Sequence, residues 1–274
     1  MKIILVPTDY SETANNALRY AVELAIFSHA KITLLHAYHV PVQTTEIPIV
    51  LVSPQELEME NMERIKQLEK EIISKTSGKV KIVSIVRAGF ATDEIRNVAQ
   101  ETHADLIVMG IAGAGKVAQA LIGSNTTSVM KKTQIPVLVI PKEARYREIK
   151  KIVLACNYNE PVDMAAINKI KAFVKLFNVK LLVVDLEKPV ATPIYENAIA
   201  GETLEKAFNN IEHVLFYSSS EDIAEGINAF VGDHNCDWLA MVPHKRSVLG
   251  EFFHKSNTKK MAFHTHIPLL SIHE

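Results

Sequence analysis

The sequence is poor in cysteine, and the positions of the few it has exclude two kinds of site. Its 274 residues include two cysteines, Cys156 and Cys236, which lie far apart in apolar surroundings. They provide neither a disulfide framework nor the clustered spacing of a zinc site. Cysteine usage therefore fits a protein of a reducing compartment.

Long apolar runs are also absent. No stretch approaches the roughly 18–20 apolar residues that a membrane-spanning helix needs. The short apolar run at residues 2–7 has no signal-peptide cleavage site after it. The formal net charge of −1 gives no overall attraction to nucleic acid or to an anionic membrane. We therefore expect a soluble, cytoplasmic protein with neither nucleic acid nor membrane as a partner.

What the sequence does contain is ordinary for a globular protein with an ample core. Apolar residues make up 48% of the chain and charged residues 22%. The length suits one large domain or two domains of about 135–140 residues each.

The first half alternates apolar runs with amphipathic helical patterns. Apolar runs that predict buried strands occur at residues 2–7, 32–37, 80–86, 105–109 and 135–141. Helices are predicted from about Ser11 to His29, over residues 55–77, and from Thr127 to Lys132. A turn and a helix are predicted from Gly89 to about His103. This alternation favours a parallel sheet covered on both faces, with ligands at the carboxyl ends of its strands.

The second half repeats this order of elements after a charged linker at residues 141–147. Sliding it by 132 residues lays Ser256-Asn257-Thr258 on Ser124-Asn125-Thr126, and Ile267-Pro268 on Ile135-Pro136, without a gap. We interpret this as an internal duplication. The predicted fold is α/β, with two tandem, open, five-stranded parallel-sheet domains of the Rossmann-like kind at residues 1–143 and 148–274.

The stretch from Met109 to Ser128 is the strongest candidate for a site. It holds four of the ten glycines of the chain and follows a predicted buried strand. It then passes Ser124, Asn125 and Thr126, which we expect to cap the helix beginning at Thr127. A strand, a glycine-rich loop and a helix start together predict an anion site, with phosphate as the first candidate.

Two familiar phosphate motifs fit this stretch only in part. Residues 110–116 match G-x-x-x-x-G-K, but Val117 stands where a P-loop needs Ser or Thr to hold magnesium. Residues 113–118 match G-x-G-x-x-A, but no acidic residue follows about 20 positions on to bind a ribose hydroxyl. We therefore favour neither motif.

A longer spacing fits completely and carries a family resemblance. The pattern Gly110-x2-Gly113-x9-Gly123-Ser124 resembles the nucleotide-binding motif of the universal stress protein family. Residues 3–11, 104–110 and 124–139 are similar to that family's first strand, fourth strand and closing elements, so the resemblance covers residues 1–141. It implies a five-stranded parallel α/β sheet that binds ATP and dimerises through its last strand. Proteins with two fused copies are known in the family.

The resemblance also implies roles for particular residues. Gly110 and Gly113 would let the backbone approach ribose and phosphates, and Gly123 with Ser124 would place N–H groups and a hydroxyl on the phosphates. Asp9 would bind a ribose hydroxyl or hold a cation, or else serve as a helix cap; whether Mg²⁺ accompanies ATP stays open. Pro7, Thr8 and Ala37 would line the pocket for the nucleotide base. The other residues of the complete expected set are Asp9, Met109, Gly110, Gly113, Gly115, Lys116, Gly123, Ser124, Asn125 and Thr126. Lys116 reaches the phosphates or is simply a solvated loop lysine.

The second half departs from this pattern. Val242, Lys245 and Lys255 stand where the first half has its three motif glycines, and Asp9 has no acidic equivalent. We therefore expect one nucleotide site in the chain, in the first half. The added basic residues around Lys245 form either a pocket for another anion or a solvated surface, and we favour the surface.

Histidines near the end of the chain raise the question of a metal. His264 and His266 would share one face of an extended segment. Without nearby cysteines or paired carboxylates this spacing is weak, and we expect no metal site.

Three functions follow from these observations. The favoured one is an ATP-binding regulatory protein of stress response, and the alternatives are a slow ATPase or nucleotide-dependent transferase and a nucleotide-independent scaffold for protein interaction. The fifth strands, at residues 137–140 and 269–272, have apolar faces and exposed edges that invite pairing. We expect them to join the halves as a pseudo-dimer inside one chain; a homodimer of chains remains open.

Overall fold

A computed structural model describes residues 1–40, 53–111, 123–156, 158, 163–187, 194–242 and 266–273. The strands are β1 (Ile3–Pro7), β2 (Lys31–Tyr38), β3 (Ile82–Ala88), β4 (Leu106–Gly110), β5 (Val137–Ile140), β6 (Lys151–Cys156), β7 (Lys180–Glu187), β8 (His213–Ser219), β9 (Trp238–Met241) and β10 (Leu269–Ser271). The helices are α1 (Glu12–Ser28), α2 (Pro54–Lys75), α3 (Ala91–Glu101), α4 (Ser124–Lys132), α5 (Met164–Phe177), α6 (Ile194–Ala207) and α7 (Ile223–His234). No helix in these ranges combines the length and apolarity needed to cross a membrane.

All ten strands belong to one sheet, in the order β3-β2-β1-β4-β5-β10-β9-β6-β7-β8. Within each half every neighbouring pair is parallel. The two halves meet where β10 runs antiparallel to β5, with Leu270 opposite Leu138. The expected α/β fold with two open, five-stranded parallel sheets is therefore present.

Helix starts and ends follow local signals in the sequence. Ser11 caps α1 by accepting from the Ala14 N–H, and Ser53 with Glu56 forms a capping box on α2. Residue His29 ends α1 in the left-handed conformation, as Asn178 ends α5. The predicted boundaries of α1 and α2 differ from the observed ones by only one or two residues.

The start of α4 was predicted wrongly. The expectation that Ser124, Asn125 and Thr126 cap a helix beginning at Thr127 is contradicted, because the helix begins at Ser124 and its N-cap is Gly123. The three polar residues form the first turn itself. Their backbone N–H groups are therefore the ones without a partner inside the helix.

Two apolar layers cover the sheet and run through both halves. One contains Ile4 and Ile152 together with residues of α1, α2, α5 and α6, and the other contains Leu5 and Val153 together with residues of α3, α4 and α7. Because alternate residues of each strand face opposite layers, the strands are buried on both sides and read as continuous apolar runs.

Side chains from the two halves also contact each other beside the β5–β10 pairing. Trp238 of β9 is fully buried and donates its Nε1–H to the hydroxyl of Tyr20 on α1, at 2.7 Å. Phe27 of α1 stacks on Phe177 of α5, with ring centroids 5.6 Å apart. The halves are therefore joined by a polar contact and an aromatic contact in addition to backbone hydrogen bonds.

One hydrogen-bond motif occurs at the same place in each half. Asp105, just before β4, accepts from the backbone N–H groups of Lys2 and Ile3. Asp237, just before β9, accepts from the N–H groups of Lys150 and Lys151. Asp237 also pairs with Arg147 at 2.8 Å. Each aspartate thus satisfies the donors at the beginning of the first strand of its half.

We predict that Tyr20→Phe lowers the free energy of unfolding by about 1–3 kcal/mol, because it leaves the buried indole N–H of Trp238 without an acceptor. Urea denaturation followed by the fluorescence of Trp238 measures this change. Tyr146→Phe is the matched control, since its ring packs on Tyr20 and its hydroxyl has no hydrogen-bond partner among the described residues. A loss as large in the control as in Tyr20→Phe would contradict the assignment.

Candidate functional site

The carboxyl ends of β1 and β4 lie side by side in the middle of the first half. Ile4 pairs with Leu106 and Leu5 with Ile107, so the two strands are adjacent and parallel. Strand order reverses between them, because β2 and β3 lie on one side and β5 on the other. In open α/β sheets this switch point is where ligands bind.

The turn after β1 holds a carboxylate in a defined position. Thr8 is buried and its backbone N–H donates to the carbonyl of Leu35, at 2.8 Å. Asp9 is exposed, and its Oδ1 accepts from the N–H of Ser11, at 3.0 Å. The cap of α1 is Ser11 and not Asp9. The alternative of Asp9 as a helix cap is therefore excluded, and its carboxylate lies at the edge where a ligand would bind.

The end of β4 approaches the start of α1 very closely at Gly110. A Cβ added there would lie 2.8 Å from both the carbonyl carbon and the carbonyl oxygen of Thr13. No real side chain tolerates such a contact with backbone. Packing against α1 thus requires glycine at this position whether or not a ligand is bound.

The N-terminus of α4 faces the same edge, and its own first turn carries no negative charge. Gly123 precedes it without a side-chain cap, and no acidic residue lies in its first turn. The other helices whose N-caps are described, α1, α2, α3, α5 and α7, each have a capping side chain, an acidic first turn, or both. The N–H groups of Ser124 and Asn125 therefore present unbalanced partial positive charge to this edge.

The remaining predicted residues fall into three groups. Pro7 ends β1 and Ala37 lies one residue before the end of β2, both half-buried at the carboxyl edge, where Ser124 and Asn125 are exposed. Met109 and Thr126 are instead buried: the Met109 side chain lies in the apolar layer of α3 and α4. Of the expected set, Gly113, Gly115 and Lys116 lie outside the described residues.

Thr126 links strand to helix at this site. Its hydroxyl donates to the carbonyl oxygen of Gly110, at 3.0 Å. Gly123 donates its N–H to the carbonyl of Ile111, and Ile111 in turn donates to Ile140. These hydrogen bonds connect the end of β4 to the start of α4, and they fix the direction of the α4 N-terminus.

Sequence reasoning missed three residues that hold the turn after β1. Tyr10 has a positive φ of 62°, and its ring lies between His36, with centroids 4.7 Å apart, and Arg64, whose guanidinium carbon is 3.9 Å from the ring centre. Burial raises the pKa of Tyr10, and nearby Arg64 opposes that rise. A ring nitrogen of His36 lies 2.8 Å from the Thr8 carbonyl oxygen. The available signal was a tyrosine at the equivalent place in the second half.

That equivalent tyrosine is Tyr158, and it is packed differently. The pairing of Ile4 with Leu106 corresponds to that of Ile152 with Trp238, which places Tyr158 in the position of Tyr10. Tyr158 is buried, its N–H donates to Asp185, and its hydroxyl donates to the Val183 carbonyl at 2.8 Å. Burial strongly raises its pKa. In this half the tyrosine side chain therefore lies in the core.

The position of Gly110 also differs between the halves. Its equivalent is Val242, whose side chain is buried in the apolar layer that contains α5. The second half thus has a buried valine side chain at the strand end where, in the first half, the backbone of α1 packs directly on glycine. Lys245 and Lys255, the other replacements expected from sequence, lie outside the described residues, as do His254 and His264.

The fold defines the class of the protein: an open, doubly wound α/β protein, whose candidate ligand edge lies between β1 and β4. A family model described as the universal stress protein family matches residues 1–141. The chain therefore belongs to the universal stress protein family, and the resemblance seen in the sequence is confirmed.

Individual relatives agree with this assignment. Universal stress protein MJ0577 of Methanocaldococcus jannaschii is 28% identical over 155 residues, which cover 52% of this chain and 96% of the relative. Universal stress protein MJ0531 of the same organism is 31% identical over 144 residues, 52% and 82% of the two chains. A solved universal stress protein from Archaeoglobus fulgidus DSM 4304 matches 99% of this chain and 98% of its own, with a TM-score of 0.74 and 18% identity. That last likeness shows that the fold of both halves together has a counterpart among known structures.

We predict that Gly110→Ala lowers the free energy of unfolding by roughly 1–3 kcal/mol, because the added methyl group must displace the backbone of Thr13. Urea denaturation of the purified variant measures the loss.

Gly232→Ala is the matched control. Gly232 lies inside α7, and an added Cβ meets nothing within 4 Å. We expect this variant to be unchanged or stabilised by up to about 1 kcal/mol, since alanine favours helix. Equal effects of the two substitutions would show that close packing at Gly110 is unimportant.

Proposed function

We propose that the first half of this chain binds ATP at the edge between β1 and β4, and that the protein acts as a nucleotide-dependent regulator in stress response. The observation that carries the proposal is the N-terminus of α4, which has neither a side-chain cap nor an acidic first turn. It follows the spacing Gly110-x2-Gly113-x9-Gly123-Ser124, and the chain belongs to the universal stress protein family. An anion fits this position because a helix N-terminus offers unpaired N–H groups.

The described residues suggest how a nucleotide would be held. Phosphate oxygens would accept from the N–H groups of Ser124 and Asn125 and from the Ser124 hydroxyl. The Asp9 carboxylate, oriented by the N–H of Ser11, would accept from ribose or bind a cation next to the phosphates. Pro7 and Ala37, at the ends of β1 and β2, would contact the base. Asp9, an exposed carboxylate at this edge, is the residue that would hold Mg²⁺.

We propose that the chain has one such site. In the second half, Val242 places a buried side chain where Gly110 has none, and Tyr158 is buried and bonded to β7. Asp9 corresponds to Asn157, which is not acidic. These differences support a second half that stabilises the molecule without binding nucleotide.

We also infer that the halves, at residues 1–143 and 148–274, are duplicated domains joined as a pseudo-dimer. The same strand order in both halves and the equivalent roles of Asp105 and Asp237 support this inference. Because β5 lies between β4 and β10, its edge is already occupied within the chain. Any homodimer of chains would need another surface, and the outer strands β3 and β8 are the remaining edges of the described sheet.

A slow ATPase is the second candidate, and the exposed Asp9 carboxylate favours it. The carboxylate could orient a water molecule or a cation next to the terminal phosphate. Release of inorganic phosphate from ATP by the wild type, and its loss in Asp9→Ala with nucleotide still bound, would establish hydrolysis. Equal background release from both proteins would leave the regulatory function as the account of this site.

We predict that titration calorimetry finds one ATP bound per chain. Mass spectrometry of nucleotide retained through purification checks the identity of the ligand independently.

Ser124→Ala should weaken ATP binding roughly 10- to 150-fold, because one hydrogen bond to a charged group is worth about 1.5–3 kcal/mol.

Ser128→Ala serves as the control, since Ser128 lies on the same helix more than one turn from its start. We expect its affinity for ATP to stay within about twofold of wild type, as for surface substitutions in general. Absence of ATP binding by the full-length protein would refute the proposal, and two equivalents per chain would refute the single site.

A further inference from the structure

A cavity of about 640 Å³ lies between α1, α2 and the segment that connects the two halves. This volume is within the range of roughly 300–1,000 Å³ that is usual for small-molecule sites. None of its lining residues belongs to the edge between β1 and β4. It is thus a separate concave surface, built partly by the junction of the halves.

The walls of the cavity combine apolar and aromatic side chains. Leu18 and Val22 come from α1, and Leu68 and Ile72 come from α2. The ring of Tyr146, from the connecting segment, packs edge-on against that of Tyr20. Burial raises the pKa of Tyr146 to about 12, further above neutral pH, at which the phenol is uncharged.

Two arginines converge on one neutral acceptor at this cavity. The Asn16 Oδ1 accepts from Arg145, at 2.8 Å, and lies 3.4 Å from a guanidinium nitrogen of Arg19. Asn16 is buried, and its Nδ2 is held by the carbonyls of Pro141 and Ala144. The amide is therefore fixed and holds both guanidinium groups on one side of the cavity.

The cations of the cavity have no carboxylate partner. Arg19, Arg145 and Lys75 line it together with Glu23 and Glu71, yet among the described residues no carboxylate lies within 4 Å of any of the three cations. Two like-charged guanidinium groups near one amide repel each other. The Nη1 of Arg145 also donates to the carbonyls of Lys142 and Ala144. A bound anion would relieve the repulsion and would accept from the other N–H groups of the two guanidinium groups.

We propose that this cavity binds a small organic anion with an aliphatic or aromatic body, such as an acyl or aryl carboxylate. The apolar walls take the body of the ligand, and Arg19 and Arg145 bind its anionic group. Because the site includes the connecting segment next to Tyr20, a bound ligand adds contacts at the junction of the two halves.

The test uses two fluorescent probes that differ in one charged group. 8-Anilinonaphthalene-1-sulfonate is an aromatic anion, and N-phenyl-1-naphthylamine has the same rings without the sulfonate. We expect the anion to bind wild-type protein at least about tenfold more tightly than the neutral probe, since a charge-assisted hydrogen bond is worth that much. Equal affinities would overturn the proposal.

Location is tested by energy transfer and by competition. Trp238, the only tryptophan of the chain, is hydrogen-bonded to Tyr20 of the cavity wall. A dye bound in the cavity is therefore close to Trp238, and excitation of Trp238 should sensitise the fluorescence of the dye. Saturating ATP should not displace it. Absence of transfer, or displacement by ATP, would assign the dye to another surface and overturn the proposal.

Substitutions complete the test. Arg19→Gln should weaken binding of the anionic probe about tenfold, and Arg19→Gln combined with Arg145→Gln should weaken it further, with binding of the neutral probe unchanged. Lys142→Gln is the matched control, because it removes a charge that pairs with Glu12 outside the cavity. Near-uniform affinity of the anionic probe for wild type, Arg19→Gln and Lys142→Gln would overturn the proposal. If the double variant does not fold, the single variant Arg19→Gln still tests it.

Discussion

The short antiparallel pairing of β10 with β5 is the contact on which the rest of this molecule depends. Three residue pairs convert two five-stranded parallel sheets into one sheet of ten strands. Both apolar layers then become continuous across the halves, and Trp238 comes within hydrogen-bond distance of Tyr20. Removing fifth-strand edges from solvent also removes the surface most prone to pair with other chains. Within the described sheet the junction therefore leaves neither β5 nor β10 with a free edge.

The same topology positions the candidate nucleotide site. Parallel strands end at one edge, and the reversal of strand order between β1 and β4 leaves space there. Two hydrogen bonds, from the Thr126 hydroxyl to the Gly110 carbonyl and from the Gly123 N–H to the Ile111 carbonyl, hold the first turn of α4 toward that space. The turn after β1 is held by Tyr10 against His36 and Arg64. The site is thus supported from both strands.

Comparison of the halves separates what the fold requires from what a ligand requires. Both halves keep an aspartate that binds the start of the first strand, so this feature serves the fold. Only the first half keeps glycine at the end of its fourth strand, where the second has Val242. Yet Gly110 is also needed for packing against Thr13. A glycine of the motif therefore has a structural role in addition to the binding role proposed for it, and sequence spacing does not distinguish the two.

The sequence by itself determined the fold class, the family and the succession of strands and helices along the chain, because apolar runs, helical periodicity and glycine spacing are local patterns. It also identified Asp9 and Ser124 as edge residues, since strand ends are readable from sequence. It placed the start of α4 three residues too late and missed Tyr10 and Arg64. Only the tertiary structure decided these points and the cavity beside Asn16. The reason is physical: they depend on contacts between residues far apart in sequence, such as Tyr20 with Trp238, whose distance is set by how the packed elements meet.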